Sequence, residues 1–214
     1  MQTIIVSRLN DLPTAVRDEL GAFRYHVFVH RLRWQLPDVT SKHTGEWDQF
    51  DGGATIHVIM LDKRSHLSGC ARLMPTTQPY LLKTLASDLS GLLLPSASTV
   101  WELSRFAAQH VNYPPGDPLD DPSYRAEPGM QLFPFTLALA ASLGATRVIG
   151  AMTHAVARLY RRFGLDLQVI HVFDHTTPNP FLIGTIELNE ATFVNLRCDP
   201  DQLMQAVTWY GAHP

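Results

Sequence analysis

Cysteine is scarce in this 214-residue sequence, which holds only Cys70 and Cys198. Two thiols make no disulfide framework, so a reduced, cytoplasmic protein is the simplest expectation. Charge is also sparse: charged residues are 17% of the chain and the formal balance is −3. That balance argues against a general nucleic-acid binder, while leaving room for a local basic patch. Long apolar runs are missing. The run within residues 1–6 is far below the length of a membrane span or a signal-peptide core, and no membrane association is expected. Internal repeats and low-complexity tracts are missing as well. What is present is an ordinary hydrophobic content of 45% in a length that suits one fairly large domain, residues 1–214, with a sizeable core.

The apolar pattern predicts a mixed α/β chain. Residues 3–7 read as a strand. Asp11 or Thr14 opens a helix with Pro13 tolerated in its first turn, and Val16, Leu20, Phe23 and Val27 recur at helical spacing as far as about Leu32. Residues 37–50 are polar and irregular, which predicts a loop. Strand-like runs at 55–61 and 66–74 are joined by the polar turn Asp62-Lys63-Arg64-Ser65. A short helix is expected at 80–89 and a strand at 99–107. Residues 112–129 hold five prolines and four acidic residues and predict a long loop. A buried helix over 130–143 stops at Gly144, and a strand at 147–152 leads to a helix at 155–163 closed by Gly164. Strands are expected at 167–173, 181–189 and 192–197, and a terminal helix at 201–209.

The segment Trp101-Glu102-Leu103-Ser104-Arg105-Phe106 places a carboxylate, a hydroxyl and a guanidinium inside an apolar strand. Such groups are costly to bury unless paired or used. Alternation puts Glu102 and Ser104 on one face and Trp101, Leu103 and Arg105 on the other. If Glu102 and Arg105 serve one cleft, the strand must bulge or splay near its end. An acid/base and charge-binding site on a rigid strand is one reading. A buried ion pair of Glu102 with Arg72 or Arg105 is the other, and residue types alone leave both open. Arg24 and Phe28 share a helix face away from much of the core stripe, which suits a ligand both charged and aromatic, although core aromatics share this spacing. His26 and His30 have the spacing of a helical metal pair, but no third ligand is evident and no metal is expected. Cys70 reads as a small buried residue. Arg158, Arg161 and Arg162 cluster on one predicted helix behind Arg147, and Arg31 and Arg33 form a second basic cluster.

The order of these residues carries a resemblance. Arg24, Phe28 and Trp34 come first, then Asp48 and Asp51 in Glu46-Trp47-Asp48-Gln49-Phe50-Asp51. Arg72 follows in Cys70-Ala71-Arg72-Leu73, ahead of Pro75-Thr76-Thr77, and then Glu102, Ser104 and Arg105. In this order and spacing the chain resembles acyl-homoserine-lactone synthases of the LuxI type, clearly over residues 23–108 and more weakly beyond. Ala86 departs from the family, which often carries phenylalanine there. The resemblance implies an α/β, GNAT-like three-layer fold with a twisted mixed central sheet splayed into a V-shaped cleft. It implies an enzyme that joins an acyl chain from acyl-carrier protein to S-adenosylmethionine, then lactonises the product with release of methylthioadenosine, using no cofactor.

In that chemistry Glu102 is the expected general base for the substrate amine. Arg105 would hold a carboxylate or the developing oxyanion, unless it only pairs with an aspartate of the loop, and Ser104 would meet the thioester carbonyl or orient a water, unless it only bonds neighbouring backbone. Phe28 and Trp34 would pack on the adenosyl group or the sulfonium. Arg24, Asp48, Asp51 and Arg72 would complete the S-adenosylmethionine site, each aspartate doing some structural pairing and Asp48 making the better ligand contact. The acyl pocket is expected at Met130, Phe133, Leu137, Met152, Thr153 and Phe181, residues whose apolar spacing suits a core equally well. Thr153 lies near a position where a hydroxyl is associated with 3-oxo chains. An acidic carrier protein would dock on Arg147, Arg158, Arg161 and Arg162. Two alternatives keep the same fold. One is an acyl-CoA-dependent N-acyltransferase, whose Gly-rich pyrophosphate loop is not found; the other is a catalytically inactive ligand-binding protein.

Overall fold

A computed structural model describes residues 3–34, 36, 44–86, 92–109, 128–173 and 181–212. The loops expected at 37–50 and 112–129, and the end of the helix expected at 80–89, lie largely or partly outside these residues. The strands are β1 (Thr3–Ser7), β2 (Ile56–Leu61), β3 (Leu67–Pro75), β4 (Val100–Ala108), β5 (Arg147–Thr153), β6 (Leu167–Val172), β7 (Phe181–Glu187) and β8 (Val207–Tyr210). The α-helices are α1 (Thr14–Arg24), α2 (Leu81–Leu85), α3 (Pro128–Ser142), α4 (His154–Arg162), α5 (Glu190–Asn195) and α6 (Pro200–Gln205). Among the described residues no helix is long and apolar enough to cross a membrane.

The chain forms two compact units, and both β3 and β4 pass from one to the other. The first comprises Met1–Arg72, Arg105–Phe133 and Ala206–Pro214. Its strands run in the order β8-β1-β2-β3, with β1 antiparallel to β2 and parallel to β8. Leu20 of α1, with Val27 and Phe28 of the helical turns that follow it, builds its core by packing with Ile5, Leu12, Ile59 and Cys70. Each large apolar side chain buried this way contributes about 1.5–3 kcal/mol. On β3, Cys70 joins this cluster, whereas a Cβ on its neighbour Gly69 would touch Leu132 of α3. Successive strand residues face opposite sides. The strand is therefore covered on both faces, which explains why β2 and β3 read as nearly continuous apolar runs.

The second unit comprises Leu73–Ser104 and Pro134–Gln205. Its strand order is β6-β7-β5-β4, with β5 antiparallel to β7 and parallel to β4. The β4–β5 ladder covers only Val100↔Arg147, Trp101↔Val148 and Glu102↔Ile149. A Cβ on the next β5 residue, Gly150, would lie 2.8 Å from the Leu103 carbonyl oxygen, so only glycine admits this close approach. The register thus ends at Glu102, and Arg105 adopts the left-handed region at φ 48°. Both observations match the expected irregularity of this strand.

Three expectations are corrected. The first helix does not stay α-helical to Leu32: after Arg24 the chain widens into a π-helix, Tyr25–Arg31, and the Leu32 amide donates to the Val27 carbonyl at 2.9 Å. Such widened turns concentrate at functional sites. The strand expected at 192–197 is instead helix α5. The β-branched Thr192 and Val194 suggest a strand, but the Asn189 side chain caps the Thr192 amide at 3.0 Å and starts a helix. The terminal helix expected at 201–209 ends at Gln205, and Val207–Tyr210 becomes β8. Val-Thr-Trp-Tyr is a run of strand formers, and pairing with β1 decides its conformation.

Candidate functional site

The end of α1, the segment before β2, and β3 and β4 bring six charged side chains of the first unit together. Arg24 is 1% exposed, Arg72 0% and Arg105 6%, while Glu46 and Asp51 are buried and Asp48 is partly accessible. Burying guanidiniums and carboxylates is tolerable only with close pairing, and here every carboxylate bridges two arginines. Glu46 accepts from Arg24 Nε at 2.6 Å and from Arg105 Nη2 at 2.9 Å. Asp48 accepts from that same Arg105 nitrogen at 2.9 Å and from Arg72 Nη1 at 2.6 Å. Asp51 accepts from Arg72 Nη1 at 2.9 Å and from Arg24 Nη1 at 2.6 Å, which closes the circuit. The result is a ring of three guanidiniums alternating with three carboxylates. Burial alone would raise the carboxyl pKa of Asp51, but the Arg24 and Arg72 guanidiniums outweigh it and hold Asp51 well below its ordinary value. Glu46 is lowered in the same way, burial opposing and Arg24 and Arg105 prevailing. Arg24 is held charged: desolvation is outweighed by Asp51 and Glu46.

Two aromatic rings border this ring of charge. Phe28 and Trp34 stack with centroids 4.9 Å apart, and the Arg105 guanidinium carbon lies 5.6 Å and 5.8 Å from their centroids. Phe28 is 1% exposed and belongs to the core, whereas Trp34 is 39% exposed and leaves ring surface open. Arg24, Phe28, Trp34, Asp48, Asp51, Arg72 and Arg105, all named from the sequence, thus come together in the first unit. The pairing expected of the aspartates is present.

Glu102 and Ser104 lie on the part of β4 that belongs to the second unit. Glu102 is 1% exposed, and its Oε2 accepts from the Leu82 amide at 2.9 Å in the first turn of α2. Tyr80 beside it donates its hydroxyl to the Pro95 carbonyl at 2.7 Å, and burial with the Glu102 charge raises its phenol pKa. Ser104 is half-buried. Of the acyl-pocket candidates, Phe133 and Leu137 are fully buried, and Phe133 meets the Phe106 ring edge-on at 5.6 Å. Met130, Met152 and Phe181 are half-buried, and Phe181 stacks on Phe173 at 4.0 Å. Thr153 caps α4, its hydroxyl oxygen accepting from the Val156 amide at 3.3 Å. Arg158, Arg161 and Arg162 are exposed along α4, but Arg147 is engaged by Glu187 at 2.6 Å. Among the described residues no group of His, Cys, Asp and Glu is arranged to hold a metal ion.

Four residues of this site were not singled out from the sequence. Glu46 is the third carboxylate of the ring. Trp47 lies under the Arg24 guanidinium, 5.1 Å from ring centroid to guanidinium carbon. Gly21 makes room for that indole: a Cβ there would sit 2.8 Å from the ring, and the Gly21 carbonyl accepts from the Glu46 amide at 3.0 Å. His57 is a buried imidazole on β2. The signals were a helical glycine, the alternation of acids with aromatics from Glu46 to Asp51, and a lone histidine in an apolar strand. Each is common in cores, and only their convergence marks a site.

The sequence model of the autoinducer synthase family matches residues 9–194. An acyl-homoserine-lactone synthase of Ralstonia solanacearum is 40% identical over 156 residues, covering 72% of this chain and 73% of the relative. One from Pseudomonas aeruginosa is 35% identical over 168 residues, covering 78% and 77%. Among solved structures, TofI in a ternary complex with an inhibitor and MTA superposes with a TM-score of 0.75 at 32% identity, covering 93% of this chain and 98% of its own. The CoA-dependent acyl-homoserine lactone synthase BjaI, with SAM and isopentyl-CoA, shares the fold at a TM-score of 0.76 and 19% identity, covering 100% and 96%. Escherichia coli ElaA is a more distant likeness of fold, with a TM-score of 0.58 at 16% identity, covering 87% and 100%. The shared fold bears out the GNAT-like α/β architecture expected from the sequence.

Proposed function

The chain belongs to the autoinducer synthase family, and we propose that it makes an N-acyl-homoserine lactone by joining an acyl chain from acyl-carrier protein to S-adenosylmethionine. The observation that carries this reading is the buried ring of Arg24, Glu46, Arg105, Asp48, Arg72 and Asp51 beside the Phe28–Trp34 stack. S-adenosylmethionine carries an ammonium, a carboxylate, a sulfonium and a purine. Asp48, the most accessible carboxylate of the ring, receives the ammonium, and the open surface of Trp34 receives the sulfonium or the adenosyl group.

In the first step the α-ammonium gives a proton to Glu102, directly or through one water, and the free amine attacks the thioester carbonyl. Arg105 and Ser104 stabilise the oxyanion. The C–S bond of the thioester breaks, the attacking nitrogen passes its extra proton to the departing carrier thiolate, which leaves as a thiol, and a neutral amide forms. In the second step the methionine carboxylate attacks its own γ-carbon. An O–C bond forms, the sulfonium C–S bond breaks, and neutral methylthioadenosine departs. The sulfonium is already a good leaving group, so here the protein contributes geometry more than charge. No cofactor takes part in these steps.

Met130, Phe133, Leu137, Met152, Thr153 and Phe181 line the acyl pocket in this reading. Arg158, Arg161 and Arg162, exposed on α4, meet the acidic carrier, while the Glu187 pair makes Arg147 the weakest member of that set. The reaction belongs in the cytoplasm, where both substrates are made. An acyl-CoA donor is the second reading, favoured by the fold shared with the CoA-dependent BjaI.

Mass spectrometry of the purified protein with S-adenosylmethionine and panels of acyl-carrier proteins and acyl-CoAs tests these readings together. The expected result is a homoserine-lactone product with methylthioadenosine, preferentially from a carrier-bound donor, reduced about 10²–10⁴-fold by Glu102→Gln. Product from acyl-CoA alone selects the second reading. S-adenosylmethionine binding without product from any donor replaces both with a catalytically inactive binding protein.

A further inference from the structure

β2 runs Ile-His-Val-Ile-Met-Leu, and His57 is its one polar side chain. It is 1% exposed, and an apolar residue would fill this strand position at lower desolvation cost. Its Nε2 lies 3.1 Å from the backbone carbonyl oxygen of Asp51. A carbonyl only accepts, so Nε2 carries the proton. Burial, with the Arg24 and Arg72 guanidiniums nearby, outweighs the pull of Asp51 and lowers the imidazole pKa to about 4, so the ring is neutral at ordinary pH. The same imidazole meets the Trp47 indole edge-on, with centroids 6.5 Å apart and planes at 82°.

We propose that His57 is a positioning residue whose Nε2–H, donated to the Asp51 carbonyl, holds the acidic segment 46–51 in the shape that lets its carboxylates bridge the arginines. The segment has its own internal ties: the Asp48 amide donates to Asp51 Oδ2 at 2.7 Å, and the Phe50 amide to Asp48 Oδ1 at 2.9 Å. Those bonds shape the turn without fixing it to the sheet. His57 does fix it, because β2 is paired with β1 through His57↔Ser7. It reaches both ends of the segment, Asp51 by its N–H and Trp47 by ring packing. A rotation of the backbone at Asp51 would displace Oδ1, the one atom that serves both Arg24 and Arg72. Thr55 adds a second anchor, donating its hydroxyl to the Phe50 carbonyl at 2.7 Å.

The test compares His57→Phe, which keeps a ring and loses the donor, with His57→Gln, which loses the ring and keeps an N–H of similar reach. Hydrogen exchange of peptides covering residues 46–55 is read first, with no substrate present. Faster exchange in His57→Phe and near wild-type exchange in His57→Gln is the expected pattern. The kinetic consequence rests on the synthase reading above: His57→Phe raises KM for S-adenosylmethionine about three- to tenfold, the range of one lost hydrogen bond, with kcat within twofold. His57→Gln restores KM. Wild-type exchange and KM in His57→Phe, even with a lowered Tm, would reduce His57 to core filling and overturn the proposal. So would a His57→Gln protein that behaves like His57→Phe. If His57→Phe does not fold, His57→Met provides the donor-free contrast. If wild-type protein forms no lactone, the synthase reading fails, and the exchange pattern alone decides the role of His57.

Discussion

Replacing Glu46 by glutamine changes one oxygen for one nitrogen and removes one charge from the closed ring. Glu46 is fully buried and bridges Arg24 and Arg105, so Glu46→Gln leaves two desolvated guanidiniums sharing one amide oxygen, with the amide NH2 turned toward a cation. Removing one partner of a buried pair costs about 3–5 kcal/mol. In a chain of this length each kcal/mol moves Tm by about 2–4 °C, so a fall of roughly 6–20 °C is expected at pH 7. The half-buried, solvent-accessible pair of Arg147 and Glu187 is the control: Glu187→Gln costs about 1 kcal/mol. The pH dependence has a definite sign. Folded Glu46 binds its proton more weakly than the unfolded chain, whose ordinary value is 4.5. Its stabilisation is therefore complete above that value and is lost as pH falls through the lower, folded one. The Tm gap between wild type and Glu46→Gln, followed by circular dichroism, closes as the pH drops below about 4.5. Asp51 still titrates in the variant, so some acid sensitivity persists. A gap under about 2 °C at pH 7, or one constant from pH 3 to 7, would refute the idea that the ring is held by charge.

Other expectations follow from the same contacts. Gly21→Ala forces a methyl against the Trp47 indole and destabilises the protein by about 1–3 kcal/mol in urea titrations, with weaker S-adenosylmethionine binding by calorimetry. Burial pushes the Cys70 thiol up to about 12, so iodoacetamide at pH 8 leaves Cys70 unmodified in native protein and labels it after denaturation, as read by peptide mass spectrometry. Arg158→Ala with Arg161→Ala raises KM for acyl-carrier protein without changing KM for S-adenosylmethionine, and adding salt narrows the difference from wild type.

The sequence reading succeeded where local pattern and tertiary demand agree. The stripe Val16-Leu20-Phe23-Val27 is helical because the same spacing that favours the helix also faces β2 and β3. The ladder that stops at Glu102 was visible as a conflict between strand alternation and two charged residues wanted together. It failed where a distant partner decides. Nothing local tells 207–210 to leave a helix and pair with β1, and nothing local marks the π turn after Arg24. At 192–197 a single Asn189 cap outweighs strand-forming side chains. Within the site, Arg24, Asp48, Asp51 and Arg72 were legible through the order and spacing that carry the family resemblance, and Arg105 also because a guanidinium stands out in an apolar strand. Gly21, Trp47 and His57 were not, because their roles lie in the room, the packing and the single hydrogen bond they give to other residues.

The alternating ring of Arg24, Glu46, Arg105, Asp48, Arg72 and Asp51 has no net charge. Seen from a distance, its positive and negative fields cancel, so it neither draws a charged molecule through solvent nor responds much to ionic strength. Its influence is confined to atoms that arrive in contact, where one carboxylate or one guanidinium can be met singly. The exposed arginines on α4 act at the opposite range, through a field that salt screens. One chain thus divides its electrostatics by distance, with a field that reaches into solvent around α4 and one that is felt only at contact in the ring.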